Sequence, residues 1–273
     1  MLRIGQIEYA NCTPLFYVLR ERFPCSGYEF VPGVPSDLNN RLALGQIDVC
    51  PCSSIEFARH ASEYRILPQL SISCNGPVAS VLLFSRCPIE ELQGTTILLS
   101  SESATSVNLL KILMQQRYGC KCRYLVTRRT TGDALDVDSP AILLIGDAAL
   151  RASLRESDGY VYDLGALWHD WTGLPFVFAL WLCRQEVAET KELKIVSRQL
   201  IQAKELVSSY STEIAEKVNE ADWMGRERLL LYWRDNISYQ LDERNIVGLT
   251  LFYEKCHQIG LLPDVPELRF TTE

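Results

Sequence analysis

The sequence predicts an α/β protein of two lobes that are joined by two crossover segments, with a helical C-terminal region. Short apolar runs alternate with helical stretches as far as about residue 171, which is typical of parallel sheets covered by helices. Two continuous apolar segments, 77–85 and 175–182, bracket the middle of the chain, and no flexible linker separates the blocks. We therefore expect a hinged protein whose ligand lies between the lobes.

The first block contains three strand–helix pairs. The strands are expected at 2–8, 28–31 and 48–51, and the helices at 15–21, 34–44 and 55–61. The second helix shows the signals most clearly, because Pro35, Ser36 and Asp37 open it and Gly45 follows its end.

The middle block repeats this alternation, and the C-terminal region is mostly helical. Further strands are expected at 94–99, 124–127, 141–145 and 160–163, with helices ending near 118, 154 and 171. Near the C-terminus, apolar residues recur at spacings of three and four from Leu193 to Tyr210 and from Ile246 to Cys256, which indicates two half-buried helices. The predicted lobe 1 comprises residues 1–82 and 178–273, and lobe 2 comprises residues 83–177.

Composition excludes several classes of protein. Apolar residues make up 47% and charged residues 22% of the 273 residues, which excludes disorder as the dominant state. The net charge of −7 argues against a nucleic-acid-binding protein, which needs a basic face. No apolar run has the length of a membrane span, and no secretory signal opens the sequence, so we expect a cytoplasmic protein without membrane contact.

The cysteines and histidines predict neither a metal site nor a catalytic nucleophile. The two C-x-C pairs, Cys50 with Cys52 and Cys120 with Cys122, lack a second pair or a histidine at zinc-finger spacing. The three histidines form no recognised catalytic pattern, and both G-x-S-x-G and glycine-rich phosphate loops are missing from the sequence. We therefore expect reduced, buried thiols and no bound metal.

Several predicted strand-to-helix turns are rich in hydroxyl and amide groups. They lie at 9–13, 52–54, 100–106 and 146–147, and the 100–106 turn alone has five hydroxyls. Helix N-capping explains any one of them. Together they also suggest an anion cradle, because free N–H groups and the positive end of the helix dipole attract a carboxylate. In a chain of net charge −7, such attraction must come from local groups.

Three single residues have two interpretations each. Ser80 is the only hydroxyl residue in 78–84, and it either bonds to backbone or faces the cleft. Glu102 is either a general base or a favourable charge at a helix N-terminus. Cys12, near a helix start, is either a thiol of lowered pKa or a plain buried thiol.

Six segments of the chain resemble chorismate dehydratase of the futalosine route to menaquinone. The segments are 2–17 (LRIGQIEYANCTPLFY), 33–54 (GVPSDLNNRLALGQIDVCPCSS), 75–85 (NGPVASVLLFS), 101–111 (SESATSVNLLK), 144–150 (LIGDAAL) and 173–181 (GLPFVFALW). They occur in the same order as in the family, and the resemblance continues to 248–252, so it covers almost the whole chain. It implies a type II periplasmic-binding-protein fold, which agrees with the two lobes expected above.

The resemblance implies a lyase that removes water from chorismate to give 3-[(1-carboxyvinyl)oxy]benzoate, with no metal or organic cofactor. It implies that Asn11 and Ser80 face the substrate as the catalytic residues. Further residues that it places at the substrate are Ser54, Gly76, Ser103, Ala104, Thr105 and Asp147. The expected partner is this small molecule alone, and the sequence makes no prediction of oligomeric state.

The general base and two rival functions stay open at this point. Glu102 and Asp147 are candidate bases, and the other hypothesis is that a carboxylate of the substrate takes the ring proton. The sister enzyme that makes 1,4-dihydroxy-6-naphthoate is one rival, although its first turn is usually richer in Pro and Asp than IEYANCTPL. The other rival is a non-enzymatic solute-binding protein for a small carboxylate, which a missing export signal disfavours.

Overall fold

The computed structural model describes residues 1–100, 103–127, 140–155 and 159–272. Within these ranges the chain forms two sheets of five strands each, with helices packed on their faces. The strands are β1 (Leu2–Ile7), β2 (Tyr28–Gly33), β3 (Val49–Ser53), β4 (Tyr64–Cys74), β5 (Val81–Ser85), β6 (Thr96–Ser100), β7 (Arg123–Thr127), β8 (Ala141–Ile145), β9 (Tyr160–Asp163) and β10 (Phe176–Arg184).

The helices follow most of the predicted positions. They are α1 (Thr13–Arg22), α2 (Pro35–Ala43), α3 (Ser54–Arg59), α4 (Ala104–Ile112), α5 (Gly146–Ser153), α6 (Leu164–Thr172), α7 (Lys191–Ala215), α8 (Glu220–Met224), α9 (Arg226–Leu231) and α10 (Glu243–Gln258). A π-helical turn, Leu113–Arg117, continues α4, and another, Tyr232–Asn236, continues α9. Glu102 lies outside the described residues.

The first sheet has the strand order β2-β1-β3-β10-β4. Its first three strands are parallel, as the strand–helix alternation predicts, but β10 runs antiparallel to both of its neighbours. Strand β4 is not predicted by the sequence pattern. Its residue Pro68 breaks the apolar alternation that would mark a strand. In the structure Gln69 adopts a left-handed conformation (φ 62°) where the register with β10 shifts, so β4 is a bulged strand.

The second sheet has the order β7-β6-β8-β5-β9, in which β6 is parallel to its neighbours and β5 is antiparallel to both of its own. The two apolar segments that we expected to be crossovers therefore form buried strands over most of their length. The segment 77–85 contains β5, and the segment 175–182 lies mostly in β10. The chain passes between the sheets in the segment 75–80 and again in 164–175. The lobe limits 1–82 with 178–273 and 83–177 stay a proposal for where the two halves divide.

The C-terminal region covers the first sheet with the helices that the apolar spacing predicts. In α7, the predicted stripe from Leu193 to Val207 is buried and Tyr210 at its end is half-buried. Helix α7 packs against α1, and α10 packs against β10 through its buried face. No helix in the described ranges is both long and apolar enough to cross a membrane.

The close packing of α10 predicts that Gly248 tolerates no side chain. A Cβ atom at this position would lie 2.3 Å from the carbonyl oxygen of Pro175, so the helix or the segment leading into β10 would have to move. We expect Gly248→Ala to lower the free energy of unfolding by about 1–3 kcal/mol, measured by urea denaturation. Val247→Ala, at an exposed neighbouring position, is the control and should change it by no more than about 0.5 kcal/mol. Equal stability of the two variants would contradict this packing.

Candidate active site

A cavity of about 60 Å³ lies between the two sheets. Both halves of the molecule contribute to its wall. The polar side chains in the wall belong to Tyr9, Asn11, Ser53, Ser80, Ser103 and Ser106. The apolar part of the wall includes Ile72, Val78, Val81, Ile145, Phe178 and Ile237.

Five helices place their N-terminal residues in this wall. Asn11 lies just before α1 and Pro35 is the first residue of α2. The other three helices contribute residues at or next to their N-caps, namely Ser53 of α3, Ser103 of α4 and Gly146 of α5. Each helix N-terminus carries roughly half a positive charge on free N–H groups, so the cavity is suited to an anion.

Among the described residues, the cavity wall contains no Asp, Glu, Lys, Arg or His side chain. Its attraction for an anion therefore comes from N–H dipoles, hydroxyls and one amide rather than from cations. The same wall offers no carboxylate or imidazole to act as a base.

The turn that bears Asn11 is fixed from the C-terminal region. Trp233 Nε1 donates a hydrogen bond to the Ala10 carbonyl at 2.7 Å, and the Tyr239 hydroxyl donates one to the Asn11 carbonyl at 2.7 Å. The Asn11 side-chain oxygen is buried and has no hydrogen-bond partner among the described residues. Because an unpaired buried acceptor is costly, this atom is prepared to accept a hydrogen bond from a ligand.

Asp147 holds the same turn from the other half of the molecule. Its carboxylate accepts a hydrogen bond from the Ala10 N–H at 3.0 Å, and it is not among the residues that line the cavity. The neighbouring Gly146 has a φ of +57°, and a Cβ there would lie 2.9 Å from the Tyr9 ring. Glycine at this position therefore lets Tyr9 close against the start of α5.

Ser80 lines the cavity and also bonds to backbone, so both interpretations of this residue hold. Its hydroxyl donates to the Val78 carbonyl at 3.3 Å, and its own carbonyl accepts from the Gly146 N–H at 2.8 Å. The Tyr232 hydroxyl is buried close to Ser80, but the two groups are not in hydrogen-bonding geometry. Burial raises the pKa of Tyr232, so this phenol stays neutral.

The hydroxyls at the start of α4 divide into two groups. Ser103 caps the helix by accepting the Ser106 N–H at 3.3 Å, and its hydroxyl lies 3.0 Å from that of Ser106, beside the cavity. Thr105 instead faces α3, where its hydroxyl lies 3.3 Å from that of Ser54 and accepts the Ile55 N–H at 3.2 Å. Ser54 and Thr105 are fully buried and hold the two helices together.

The predicted site residues are thus only partly brought together. Asn11, Ser80 and Ser103 share the cavity, whereas Ser54, Gly76, Ala104, Thr105 and Asp147 do not line it. Cys12 is buried, and burial raises the pKa of its thiol, which supports the plain buried thiol. Wall residues that the sequence analysis missed are Tyr9, Ser53, Ser106, Phe178 and Ile237. Tyr9, Ser53 and Ser106 belong to turns already recognised as polar, but Phe178 and Ile237 carry no signal beyond being apolar.

Comparison with solved structures identifies the fold. A protein of Archaeoglobus fulgidus superimposes with a TM-score of 0.73 at 18% sequence identity, covering 96% of this chain and 98% of that one. The periplasmic aliphatic sulphonate-binding protein of Escherichia coli gives a TM-score of 0.67 at 19% identity, covering 100% of this chain and 91% of that one. The expected periplasmic-binding-protein-like fold is therefore confirmed.

Comparison of sequences identifies the family. A chorismate dehydratase of Thermus thermophilus is 34% identical over 267 residues, covering 92% of this chain and 93% of that protein. A chorismate dehydratase of Campylobacter jejuni is 30% identical over 262 residues, covering 94% and 98%. The profile of the menaquinone biosynthesis family matches residues 2–258. The resemblance found in the sequence is confirmed, and this chain belongs to the menaquinone biosynthesis family.

Proposed function

We propose that the protein is a chorismate dehydratase, a hydro-lyase that removes water from chorismate to give 3-[(1-carboxyvinyl)oxy]benzoate. Two relatives that bear this name support the proposal over nearly the whole chain. The structural observation that carries it is the cavity between the sheets, with its apolar walls, five helix N-termini and absence of charged side chains among the described residues.

This cavity fits the chemistry of the substrate. Chorismate carries one carboxylate on its ring and a second on its enolpyruvyl side chain, so it needs two anion-binding regions separated by an apolar surface. Ser103 and Ser106 at α4 offer one region, and Asn11 and Ser53 at α1 and α3 offer the other. N–H dipoles that are already oriented stabilise charge without reorganising during the reaction.

The reaction removes a proton from the ring carbon that bears the ether and a hydroxyl from the adjacent ring carbon. The two leave as one molecule of water, and the ring becomes aromatic. No described wall residue is a strong base, so we assign to a carboxylate of the substrate itself both the removal of this proton and its delivery to the departing hydroxyl, which leaves as water. Asn11 and Ser80 then hold the substrate in a reactive pose and donate hydrogen bonds to the departing hydroxyl.

Neither a metal nor an organic cofactor forms part of this proposal, because loss of water with aromatisation is redox-neutral. The remaining residues implied by the resemblance take supporting roles in it. Ser54 and Thr105 join α3 to α4, and Asp147 holds the Asn11 turn. The cytoplasmic location stays a prediction.

The direct test is incubation of the protein with chorismate, with the products separated by chromatography. We expect loss of water and appearance of the enolpyruvyl benzoate. Tight binding of chorismate without turnover would favour a solute-binding protein instead. If chorismate neither binds nor reacts, the sister activity that forms 1,4-dihydroxy-6-naphthoate becomes the next candidate.

Asn11→Ala and Ser80→Ala should each lower kcat at least about tenfold, equivalent to about 1.4 kcal/mol of barrier, because each removes a polar group from the wall. Steady-state kinetics with chorismate measure the effect. Asn40→Ala, at an exposed position on α2, is the matched control and should leave kcat unchanged. Near-normal kinetics in both wall variants would remove these residues from the site.

Glu102→Gln and Asp147→Asn test the assignment of the base. If the substrate carboxylate takes the proton, both variants retain turnover, although Asp147→Asn weakens the hold on the Asn11 turn. Chorismate affinity and single-turnover rates should be measured together for each variant. Abolition of turnover in both, with binding of chorismate intact, would disprove base catalysis by the substrate.

A further inference from the structure

Asp163 is a carboxylate outside the cavity that binds backbone from two distant parts of the chain. It lies at the end of β9, and its Oδ1 accepts the Ala166 N–H at 3.0 Å, which caps α6. The same carboxylate accepts the Val78 N–H at 3.0 Å and the Ala79 N–H at 2.6 Å. These two residues belong to the segment 75–80 that connects the sheets.

The contacts to the connecting segment exceed what a helix cap requires. One acceptor satisfies the cap, as Asp242 shows at α10, where its side chain accepts the Asn245 N–H at 3.0 Å. Ala79 has a φ of 58°, a left-handed conformation that residues other than glycine rarely adopt unless the surroundings impose it. Hydrogen bonds from N–H groups to a charged acceptor are strong, so Asp163 is the group that holds this conformation.

The packing around the segment leaves little freedom for another arrangement. A Cβ at Gly165 would lie 2.7 Å from the Gly76 carbonyl oxygen, so the start of α6 approaches the segment directly. The Asn236 amide also donates to the Pro77 carbonyl at 3.0 Å. The next residue after the left-handed Ala79 is Ser80, whose side chain enters the cavity wall.

We infer that Asp163 is a positioning residue for Ser80 in the dehydration of chorismate, an inference that rests on the proposed function. Asp163 does not line the cavity, so it acts through the peptide groups of Val78 and Ala79. Their orientation sets the direction in which the Ser80 hydroxyl points.

The electrostatic environment agrees with this role. Burial raises the pKa of the Asp163 carboxyl, and the hydrogen bonds that it accepts from backbone N–H groups oppose this rise. An asparagine has nearly the same shape, but it has one acceptor oxygen and would turn an NH₂ group towards N–H donors. Asp163→Asn therefore removes the specific grip on the segment while it preserves the volume of the side chain.

A double-mutant cycle between Asp163 and Ser80 tests the inference. The variants are Asp163→Asn, Ser80→Ala and the combination, with kcat and KM measured for chorismate. We expect Asp163→Asn to lower kcat at least about tenfold with little change in KM. In the Ser80→Ala background the same change should lower kcat less than about twofold, because the group that it positions is already gone. Asp242→Asn, which alters the cap of α10, is the control and should leave kcat within about twofold.

The outcomes separate this inference from the proposed function. If the wild-type protein makes no product from chorismate, the proposed function fails and the inference fails with it. If it makes product but the two substitutions lower kcat by independent factors, only the role of Asp163 is overturned. Should Asp163→Asn fail to fold in a thermal unfolding experiment, Asp163→Glu replaces it, since it keeps the charge and shifts it by one methylene. In the cycle with Asp163→Glu, the substitution must again lower kcat when Ser80 is present and have little effect on kcat in the Ser80→Ala background.

Discussion

The constraint on which the proposed function depends is burial of a doubly charged ligand in a wall that, among the described residues, holds no cationic side chain. Removing a carboxylate from water is expensive unless hydrogen bonds replace its hydration. Among the described residues, the cavity wall offers hydroxyls, the Asn11 amide and the positive ends of five helix dipoles for this purpose. Backbone dipoles do not titrate and do not change rotamer, so their geometry is fixed by the fold itself. The overall charge of −7 makes this local compensation necessary.

The topology of the two sheets supplies these helix starts. In the first sheet, β1 and β3 end at the cavity and lead into α1 and α3; in the second sheet, β8 leads into α5. Strands that lie parallel within a sheet end at the same edge, so the helices that follow them begin side by side. The antiparallel strands β5 and β10 follow the two connections between the sheets and bring Val81 and Phe178 into the wall.

Much of this fold is predictable from sequence, since the alternation of apolar runs and capped helices predicts seven of the ten strands in the described residues and marks two more, β5 and β10, as apolar segments. Strand β4 is the exception. Pro68 interrupts its apolar alternation, and the strand is bulged around the left-handed Gln69. Strand β10 is recognisable as apolar, but a run buried on both faces carries no period that shows its direction.

The candidate site is predictable only at the level of turns. Sequence indicates which strand-to-helix turns are polar, but it cannot tell which of two adjacent hydroxyls faces the cavity. Ser53 lines the wall while Ser54 is turned towards Thr105, because one residue of rotation at the start of a helix changes the direction of the side chain by about 100°. The role of Asp163 depends on contacts 84 and 85 positions away in the chain, which no local pattern encodes.

A cavity lined in this way responds to pH in an unusual manner. In the part of the chain that the structure describes, no aspartate, glutamate, histidine or lysine belongs to its lining, so the charge of this described lining does not change between about pH 5 and pH 9. A change of pH then acts on the ligand and on titratable groups outside the lining. Selectivity among ligands then depends on how many negative charges each ligand carries, because the dipoles of the lining are fixed.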